Sequence, residues 1–243
     1  MNSDIGLIDA LVLCGGRGTR LKSVKSDYPK ILFDIKNRPF IEYFLKYLEF
    51  QGLKRIILCT GYKHHLIKEW IEFSYQGNME IIFSQELIPL GTGGAIRNAK
   101  KVIQSDYMFV INGDTLTNLS YDAFLNDFFE KKCFGSIAVA AVNNSVDYGS
   151  IVTNSIGEIL SFNEKIKGIN QGLVSIGVYL FKAALLDEIP ENKMRSFEKD
   201  IMPAIFENGE KPIYSFLYEG SFFDIGTPTR YRELNEIDRA NLP

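Results

Sequence analysis

The chain has 243 residues, 46% of them hydrophobic and 23% charged, and it carries a net charge of −3 at neutral pH. This balance is typical of a globular protein with a sizeable core, and it excludes the basic composition of a nucleic-acid-binding protein. We therefore expect no nucleic acid and no membrane as partner. The sequence shows no signal peptide and no apolar run of the roughly 18 residues that a membrane span needs, so we expect a cytoplasmic protein.

The first predicted strand ends in a glycine-rich loop. Its apolar run, residues 8–14, precedes the sequence GGRGTRL, which matches neither the dinucleotide fingerprint nor a P-loop. Glycines at a strand end let successive backbone N–H groups turn toward one point, where an anion binds. Two arginines and a lysine nearby would supply full positive charge, so we expect a triphosphate here. The residues concerned are Leu13, Gly15, Gly16, Gly18, Thr19, Arg20 and Lys30.

Strands and helices alternate over the next part of the chain. Apolar spacing predicts a helix at 40–50, a strand at 55–59, a helix at 64–73, a strand at 80–84, a helix at 92–103 and a strand at 107–112. Such alternation is typical of a parallel sheet with helices on both faces. The crossovers should be right-handed, and ligands should lie at the carboxyl ends of the strands, where the glycine-rich loop already falls.

Beyond residue 120 the pattern changes to shorter elements. We predict a helix at 121–132, strands at 136–142, 150–153, 158–163 and 173–181, a helix at 196–207, a strand at 212–218 and a helix at 228–240. The turn residues between the short strands indicate antiparallel additions to the sheet, which form a lobe over the site. No linker or repeat divides the chain, so we expect a single domain at residues 1–243.

Two aspartates follow the ends of predicted apolar segments. Asp114 closes the sequence NGD after the strand at 107–112, and Asp224 opens the sequence DIGTP. Magnesium bound to a nucleotide takes one or two carboxylates and completes its octahedral shell with phosphate and water oxygens. Both aspartates suit this role if they reach the glycine-rich loop. The residues alone leave a second interpretation open, in which Asp114 caps the next segment and Asp224 is a turn residue.

These motifs resemble the signature of the sugar-phosphate nucleotidyltransferases. The family carries G-G-x-G-T-R-L followed by P-K, then N-G-D and D-x-G-T-P, and this chain matches every fixed position. The resemblance implies an α/β fold with a Rossmann-like, mostly parallel central sheet flanked by helices, and antiparallel additions that form a sugar-binding lobe. It implies Mg²⁺ on Asp114 and Asp224, and catalysis by Arg20, Lys30 and Asp114. It divides the domain into a nucleotide-binding part at about 8–118 and a sugar-phosphate-binding part at about 119–243.

A second glycine-rich turn, at residues 86–95, resembles the family's L-G-T loop beside the nucleobase. Members specific for uracil or thymine tend to carry glutamine where this chain has Glu86. A carboxylate only accepts hydrogen bonds, and guanine presents two parallel N–H donors on one edge. This chemistry favours GTP, with the neighbouring Gln85 as an alternative reader of the base. The nucleotide-binding residues that the resemblance implies on this side are Glu86, Gly91, Thr92, Asn112 and Gly113.

Three later segments resemble the family's sugar-phosphate site. Glu164 would accept hydrogen bonds from sugar hydroxyls, Lys165 would neutralise the sugar's phosphate, and the backbone of Gly149 would approach the ring. Ser175 and Ile176 stand where the family usually has asparagine and a small residue. Because a hydroxyl reaches less far than an amide, we expect the sugar contact at Ser175 to be lost, rearranged or bridged by water.

Among the branches of the family, the closest resemblance is to the D-glycero-α-D-manno-heptose 1-phosphate guanylyltransferases. The implied reaction joins GMP from GTP to the sugar 1-phosphate, releases pyrophosphate and gives a GDP-sugar for surface polysaccharide synthesis. The open alternatives are a mannose-1-phosphate or other hexose-1-phosphate nucleotidyltransferase, a glycosyltransferase that uses a nucleotide sugar, and an inactive sugar-nucleotide sensor. The expected partners are GTP and a sugar 1-phosphate. The oligomeric state stays open, with a homodimer among the options.

Overall fold

The structure is a computed structural model that describes residues 4–21, 27–142, 150–163 and 172–237. Its strands are β1 (Asp9–Leu13), β2 (Asp34–Ile35), β3 (Arg38–Pro39), β4 (Arg55–Thr60), β5 (Glu80–Gln85), β6 (Tyr107–Asn112), β7 (Thr115–Thr117), β8 (Gly135–Val142), β9 (Ser150–Thr153), β10 (Ile159–Asn163), β11 (Gly172–Lys182), β12 (Ile213–Leu217) and β13 (Phe222–Asp224). Its α-helices are α1 (Phe40–Phe50), α2 (His64–Ser74), α3 (Gly91–Asn98), α4 (Tyr121–Lys131), α5 (Leu185–Glu188), α6 (Met202–Asn208) and α7 (Pro228–Glu236). None of these described helices has the length and apolarity needed to cross a membrane.

The main sheet is parallel at its centre and antiparallel on one side. Strand β1 pairs in parallel with β4 and β6, and β4 pairs in parallel with β5. Strand β11 then runs antiparallel to β6, β8 and β9, while β10 is antiparallel to β9 and β12 is parallel to β8. The predicted mostly parallel sheet with antiparallel additions is therefore confirmed.

Both faces of the parallel strands are buried. Ala10 and Val12 of β1 enter one apolar cluster, which includes side chains of α1, α2 and α4. Leu11, between them, points to the opposite cluster, which includes side chains of α3, α5 and α6. Because successive side chains of a strand alternate between faces, a strand covered on both sides reads as a continuous apolar run. This explains why the apolar run at residues 8–14 indicates a buried strand.

The predicted secondary structure differs from the observed one mainly in the second half of the chain and at two short strand pairs. The helix predicted at 196–207 is a π-helical turn, Phe197–Ile201, followed by α6. Pro203 lacks the N–H that an uninterrupted α-helix would bond to the carbonyl of Lys199, which accounts for the change of winding. The helix predicted at 92–103 is α3 followed by a 3₁₀ turn, Ala99–Lys101. The two small antiparallel pairs β2–β3 and β7–β13 were not predicted.

A buried ion pair ties the amino end of the sheet together. The Asp9 side chain accepts hydrogen bonds from Arg55 Nη1 at 2.5 Å and from the backbone N–H groups of Gln104 at 2.6 Å and Ser105 at 3.1 Å. Asp9 is 2% exposed, so water cannot easily replace its carboxylate as the acceptor of these three hydrogen bonds. The same arginine also donates from Nε to Glu80, which lies on the surface, at 3.1 Å.

We expect Asp9→Ala to lower the free energy of unfolding by about 3 kcal/mol, because it leaves the Arg55 charge and two backbone donors without their buried acceptor. Urea unfolding measures the change. Glu80→Ala removes the exposed partner of the same arginine and should cost less than about 1 kcal/mol. Equal losses in the two variants would contradict the importance of the buried pair.

Candidate active site

A cleft of about 780 Å³ opens at the carboxyl ends of the parallel strands. Residues at or just after the ends of β1, β4, β5 and β6 line it, as expected for this kind of sheet. The structure brings the following predicted site residues to this cleft: Leu13, Gly15, Gly16, Gly18, Thr19, Arg20, Lys30, Glu86, Gly91, Thr92, Asn112, Gly113, Asp114, Ser175 and Asp224. Three further predicted site residues, Gly149, Glu164 and Lys165, lie outside the described residues.

The glycine-rich loop presents bare backbone to the cleft. A Cβ atom added at Gly15 would lie 2.7 Å from Glu86 Oε1, so a side chain at this position would collide with the loop after β5. At Gly16 an added Cβ would meet no atom within 4 Å, which shows that this glycine faces open space. Gly18 has φ +56, a left-handed conformation that favours glycine. The loop can therefore let a ligand approach its backbone closely.

Lys30 and Asp114 form an ion pair within the cleft. Lys30 opens a 3₁₀ turn, Lys30–Leu32, and its Nζ contacts Asp114 Oδ2. The hydroxyl of Thr115 donates to Asp114 Oδ1 at 3.3 Å. This contact joins Lys30, which follows the glycine-rich loop, to Asp114, which follows β6. The two residues are far apart in the sequence.

The small sheet β7–β13 brings the second aspartate beside the first. In this antiparallel pair Asp224 lies opposite Thr115, the residue after Asp114. The N–H of Ile225 also donates to the carbonyl oxygen of Asp114 at 3.0 Å. The two aspartates are thus neighbours through backbone hydrogen bonds, and the segment that carries Asp224 is held to the segment that carries Asp114.

Arg230 is a residue of this site that the sequence analysis missed. Its Nη1 lies 2.9 Å from Asp224 Oδ2 and 3.2 Å from Oδ1, and the N–H of Gly226 donates to Oδ1 at 2.8 Å. Arg230 belongs to the first turn of α7, whose N-cap Thr227 accepts a hydrogen bond from the Arg230 N–H. A positive side chain is disfavoured at a helix N-terminus by the helix dipole, and that mismatch was the available signal.

Glu86 lines the same cleft, and a backbone hydrogen bond orients its carboxylate. Its Oε2 accepts the N–H of Leu90 at 2.7 Å, and its Oε1 lies next to Gly15. Burial raises the pKa of the Glu86 carboxyl, and the Leu90 N–H partly offsets this effect. Glu86 lines the cleft, whereas Gln85, the alternative reader, is exposed at the end of β5.

The hydroxyl of Thr92 supports the loop that follows α5 in the chain. Thr92 Oγ1 accepts the N–H of Phe197 at 2.8 Å, the Gly93 N–H donates to the carbonyl of Arg195 at 2.9 Å, and the Arg195 N–H donates to the carbonyl of Leu90 at 2.8 Å. Gly91 has φ +71, and a Cβ atom there would lie 2.5 Å from the Arg195 oxygen. The turn at 90–93 is therefore joined to the segment that starts the π-helical turn.

Ser175 lies at an irregularity of β11 beside the cleft. The pairing of β11 with β8 shifts register between Ser175 and Tyr179, and Ser175 Oγ accepts the N–H of Gly177 at 3.1 Å. Gly177 has φ +78 and packs against Asn112, where an added Cβ would be 2.7 Å from Nδ2. The strand therefore bends next to the end of β6, and the Ser175 hydroxyl is turned toward its own backbone.

The phenol of Tyr179 donates to Glu198 Oε1 at 2.6 Å, and Glu198 lines the same wall of the cleft. Burial, followed by the charge of Glu198, raises the pKa of the Tyr179 phenol. Glu198 belongs to the π-helical turn and was not among the predicted site residues. Its position depends on the packing of Tyr179 in β11 against the π-helical turn, where the rings of Tyr179 and Phe197 are also in contact, and local periodicity does not reveal this packing.

Residues 9–241 match the family model described as Nucleotidyl transferase. Because this match spans nearly the whole chain and the cleft carries the family's motifs, the protein belongs to the nucleotidyl transferase family. The resemblance inferred from the motifs is confirmed.

Individual relatives show which branch of the family the chain resembles. A D-glycero-α-D-manno-heptose 1-phosphate guanylyltransferase of Aneurinibacillus thermoaerophilus is 34% identical over 227 residues, which is 93% of this chain and 96% of the relative. A protein of the same name from Campylobacter jejuni is 34% identical over 226 residues, covering 92% and 97%. The crystal structure of HddC from Yersinia pseudotuberculosis is 35% identical, with a TM-score of 0.84 and coverage of 94% and 98%, and a second HddC structure contains GMP-PN. The predicted likeness to this branch is confirmed.

Proposed function

We propose that the protein transfers GMP from GTP to D-glycero-α-D-manno-heptose 1-phosphate, forming a GDP-heptose and releasing pyrophosphate. The observation that carries the proposal is the meeting of an open glycine-rich loop, the Lys30–Asp114 pair and Asp224 in one cleft. The names of the similar proteins support the choice of sugar and nucleotide. Residues at about 8–118 would bind the nucleotide, and residues at about 119–243 the sugar phosphate.

The reaction is an in-line displacement at the α-phosphorus of GTP. An oxygen of the sugar 1-phosphate forms the new P–O bond, while the bond from the α-phosphorus to the bridging oxygen breaks and pyrophosphate leaves with the electron pair. The attacking oxygen is already anionic at neutral pH, so no general base is required. The enzyme has to hold two anions in line and offset their charge. Arg20 and the backbone N–H groups of the loop would bind the triphosphate, with Lys30 beside the α-phosphate.

The two aspartates fit a magnesium site. Both aspartates line the cleft, and the pairing of β7 with β13 holds their backbone segments together. Within the described part of the chain no group of three or more His, Cys, Asp or Glu side chains is placed to hold a metal ion. Magnesium in nucleotide sites takes one or two carboxylates and completes its shell with phosphate and water oxygens, which this donor pair suits. Asp114 and Asp224 would hold the ion. When bound, it would neutralise charge on the reacting phosphates.

Of the four residues proposed for the sugar-phosphate site, the structure describes only Ser175. Ser175 lines the cleft and its hydroxyl oxygen accepts the Gly177 N–H, so a direct contact with the sugar would use the O–H donor or the second lone pair of that hydroxyl. Glu164, Lys165 and the backbone of Gly149 remain the proposed partners of the sugar hydroxyls, the sugar phosphate and the ring.

A matrix of nucleoside triphosphates against sugar 1-phosphates, read by pyrophosphate release, tests the function. We expect the highest kcat/KM for GTP with the heptose 1-phosphate. A maximum with mannose 1-phosphate would replace the sugar and keep the reaction class. Absence of pyrophosphate with every pair would reject the proposal, and binding of a GDP-sugar without turnover would then identify a sensor.

Lys30→Ala should reduce kcat by about 100-fold while changing the KM for GTP by much less. Negative charge on the transferred phosphate is redistributed in the transition state, where a fixed cation stabilises it most. Steady-state kinetics with each substrate varied in turn measures both constants. Lys68→Ala, an exposed lysine change on α2, is the charge-matched control and should leave both constants unchanged. A variant of Lys30 whose defect is confined to the KM for GTP would show that this lysine only binds.

A further inference from the structure

Arg230 forms an ion pair with Asp224, one of the two proposed metal ligands. Arg230 Nη1 contacts both carboxylate oxygens of Asp224, whose side chain is 11% exposed, and the Gly226 N–H binds Oδ1. The contact is partly shielded from water, because the Arg230 side chain is itself only 21% exposed. A hydrogen-bonded ion pair in such surroundings is stronger than a surface pair.

The charge of Arg230 is electrostatically unfavourable at the N-terminus of α7, but it lies close to the carboxylate of Asp224 in the cleft. The first turn of a helix stabilises negative side chains and disfavours positive ones, yet Arg230 lies in the first turn of α7. Asp224 offsets this cost. Pro228 and the Thr227 cap hold the backbone of the turn independently of the guanidinium. A change of partner by the guanidinium would therefore not require α7 to lose its N-terminal cap.

We propose that Arg230 competes with the divalent cation for Asp224, so that the metal binds weakly until phosphate arrives. The inference rests on the proposed function in one respect, the assignment of Asp224 as a metal ligand. Asp224 would have to give a carboxylate oxygen to the magnesium ion, and the charge of that ion would repel a guanidinium on the same carboxylate. Arg230 must then turn away from Asp224. A phosphate group in the cleft is its natural new partner, because the planar fork of an arginine matches phosphate oxygens.

Binding of Mn²⁺ to the full chain without nucleotide or sugar, followed by electron paramagnetic resonance, tests the competition. We expect Arg230→Met to bind Mn²⁺ about tenfold more tightly than the wild type, which is the scale of a hydrogen bond to a charged group. Arg232→Met, an exposed change of the same charge on the same helix, should shift the affinity by less than about twofold. Asp224→Asn should weaken binding in both the wild-type and the Arg230→Met backgrounds.

An affinity of Arg230→Met that is equal to or weaker than that of Arg232→Met overturns the proposal, as does the absence of Mn²⁺ binding in all variants. If circular dichroism shows that Arg230→Met is unfolded, Arg230→Gln, which removes the charge and keeps a polar side chain, is measured with the same expectation. The assay contains no substrate, so its outcome is independent of the pyrophosphate matrix. A protein that transfers no nucleotide can still show the competition, and an active enzyme can still lack it.

Discussion

Asp114→Asn and Asp224→Asn are each expected to reduce kcat by about 10³-fold at saturating magnesium. Loss of one of the two carboxylates removes a metal ligand and several kcal/mol of transition-state stabilisation, and each 1.4 kcal/mol is about a factor of ten. Asparagine keeps the size of the side chain and its ability to accept from Thr115 or Gly226, so the backbone pairing of β7 and β13 should persist. Pyrophosphate release under single-turnover conditions measures the effect on chemistry.

Asp122→Asn provides the matched control for both aspartates. Asp122 is exposed in the first turn of α4, away from the residues that line the cleft, and its change should leave turnover intact. Circular dichroism and thermal unfolding check that each variant is folded. Near-wild-type turnover in Asp114→Asn or Asp224→Asn would show that the residue concerned is not a metal ligand.

Glu86→Gln is expected to lower kcat/KM for GTP roughly tenfold or more and to narrow the preference for GTP over UTP. The change removes a charged acceptor that matches two N–H donors of guanine, and the loss corresponds to a hydrogen bond to a charged group. Uracil presents one N–H between two carbonyl oxygens, which a carboxylate repels and an amide tolerates. The amide oxygen can still accept the Leu90 N–H, so the side chain should keep its orientation.

Two further measurements test the role of Glu86 in base recognition, a Gln85 variant and the pH dependence of the ratio of GTP to UTP use. Gln85→Ala removes the alternative reader and should leave the ratio of GTP to UTP use unchanged. Because burial raises the pKa of Glu86, its carboxylate is protonated at a higher pH than that of an exposed glutamate. Protonation removes the charge and turns one acceptor oxygen into an O–H donor, so the ratio of GTP to UTP use should fall as the pH is lowered. Using the ratio cancels the titration of the sugar phosphate, which is common to both reactions. An unchanged ratio in Glu86→Gln would move guanine recognition to backbone groups of the glycine-rich loop.

Local pattern was sufficient for the parallel half of the fold. Residues 40–50 and 107–112 form α1 and β6 with the predicted bounds, because their apolar spacing reflects burial against one continuous sheet. The parallel arrangement then places the ends of β1 and β6 at the same edge, which is why the glycine-rich loop and Asp114 could be expected to meet. The second half was predicted less well where Pro203 and short pairings interrupt the periodicity.

What the sequence determined by itself is the family, the parallel sheet and the types of side chain in the cleft, because contiguous motifs and strand ends carry that information. Tertiary structure alone decided the partners. The pairing of β7 with β13 makes Asp224 a neighbour of Asp114, the first turn of α7 brings Arg230 onto Asp224, and the bend at Gly177 turns Ser175 toward its own backbone. The first contact depends on strand register between remote segments. The other two depend on local irregularities, the turn before α7 and the register shift in β11, which the spacing of apolar residues does not encode.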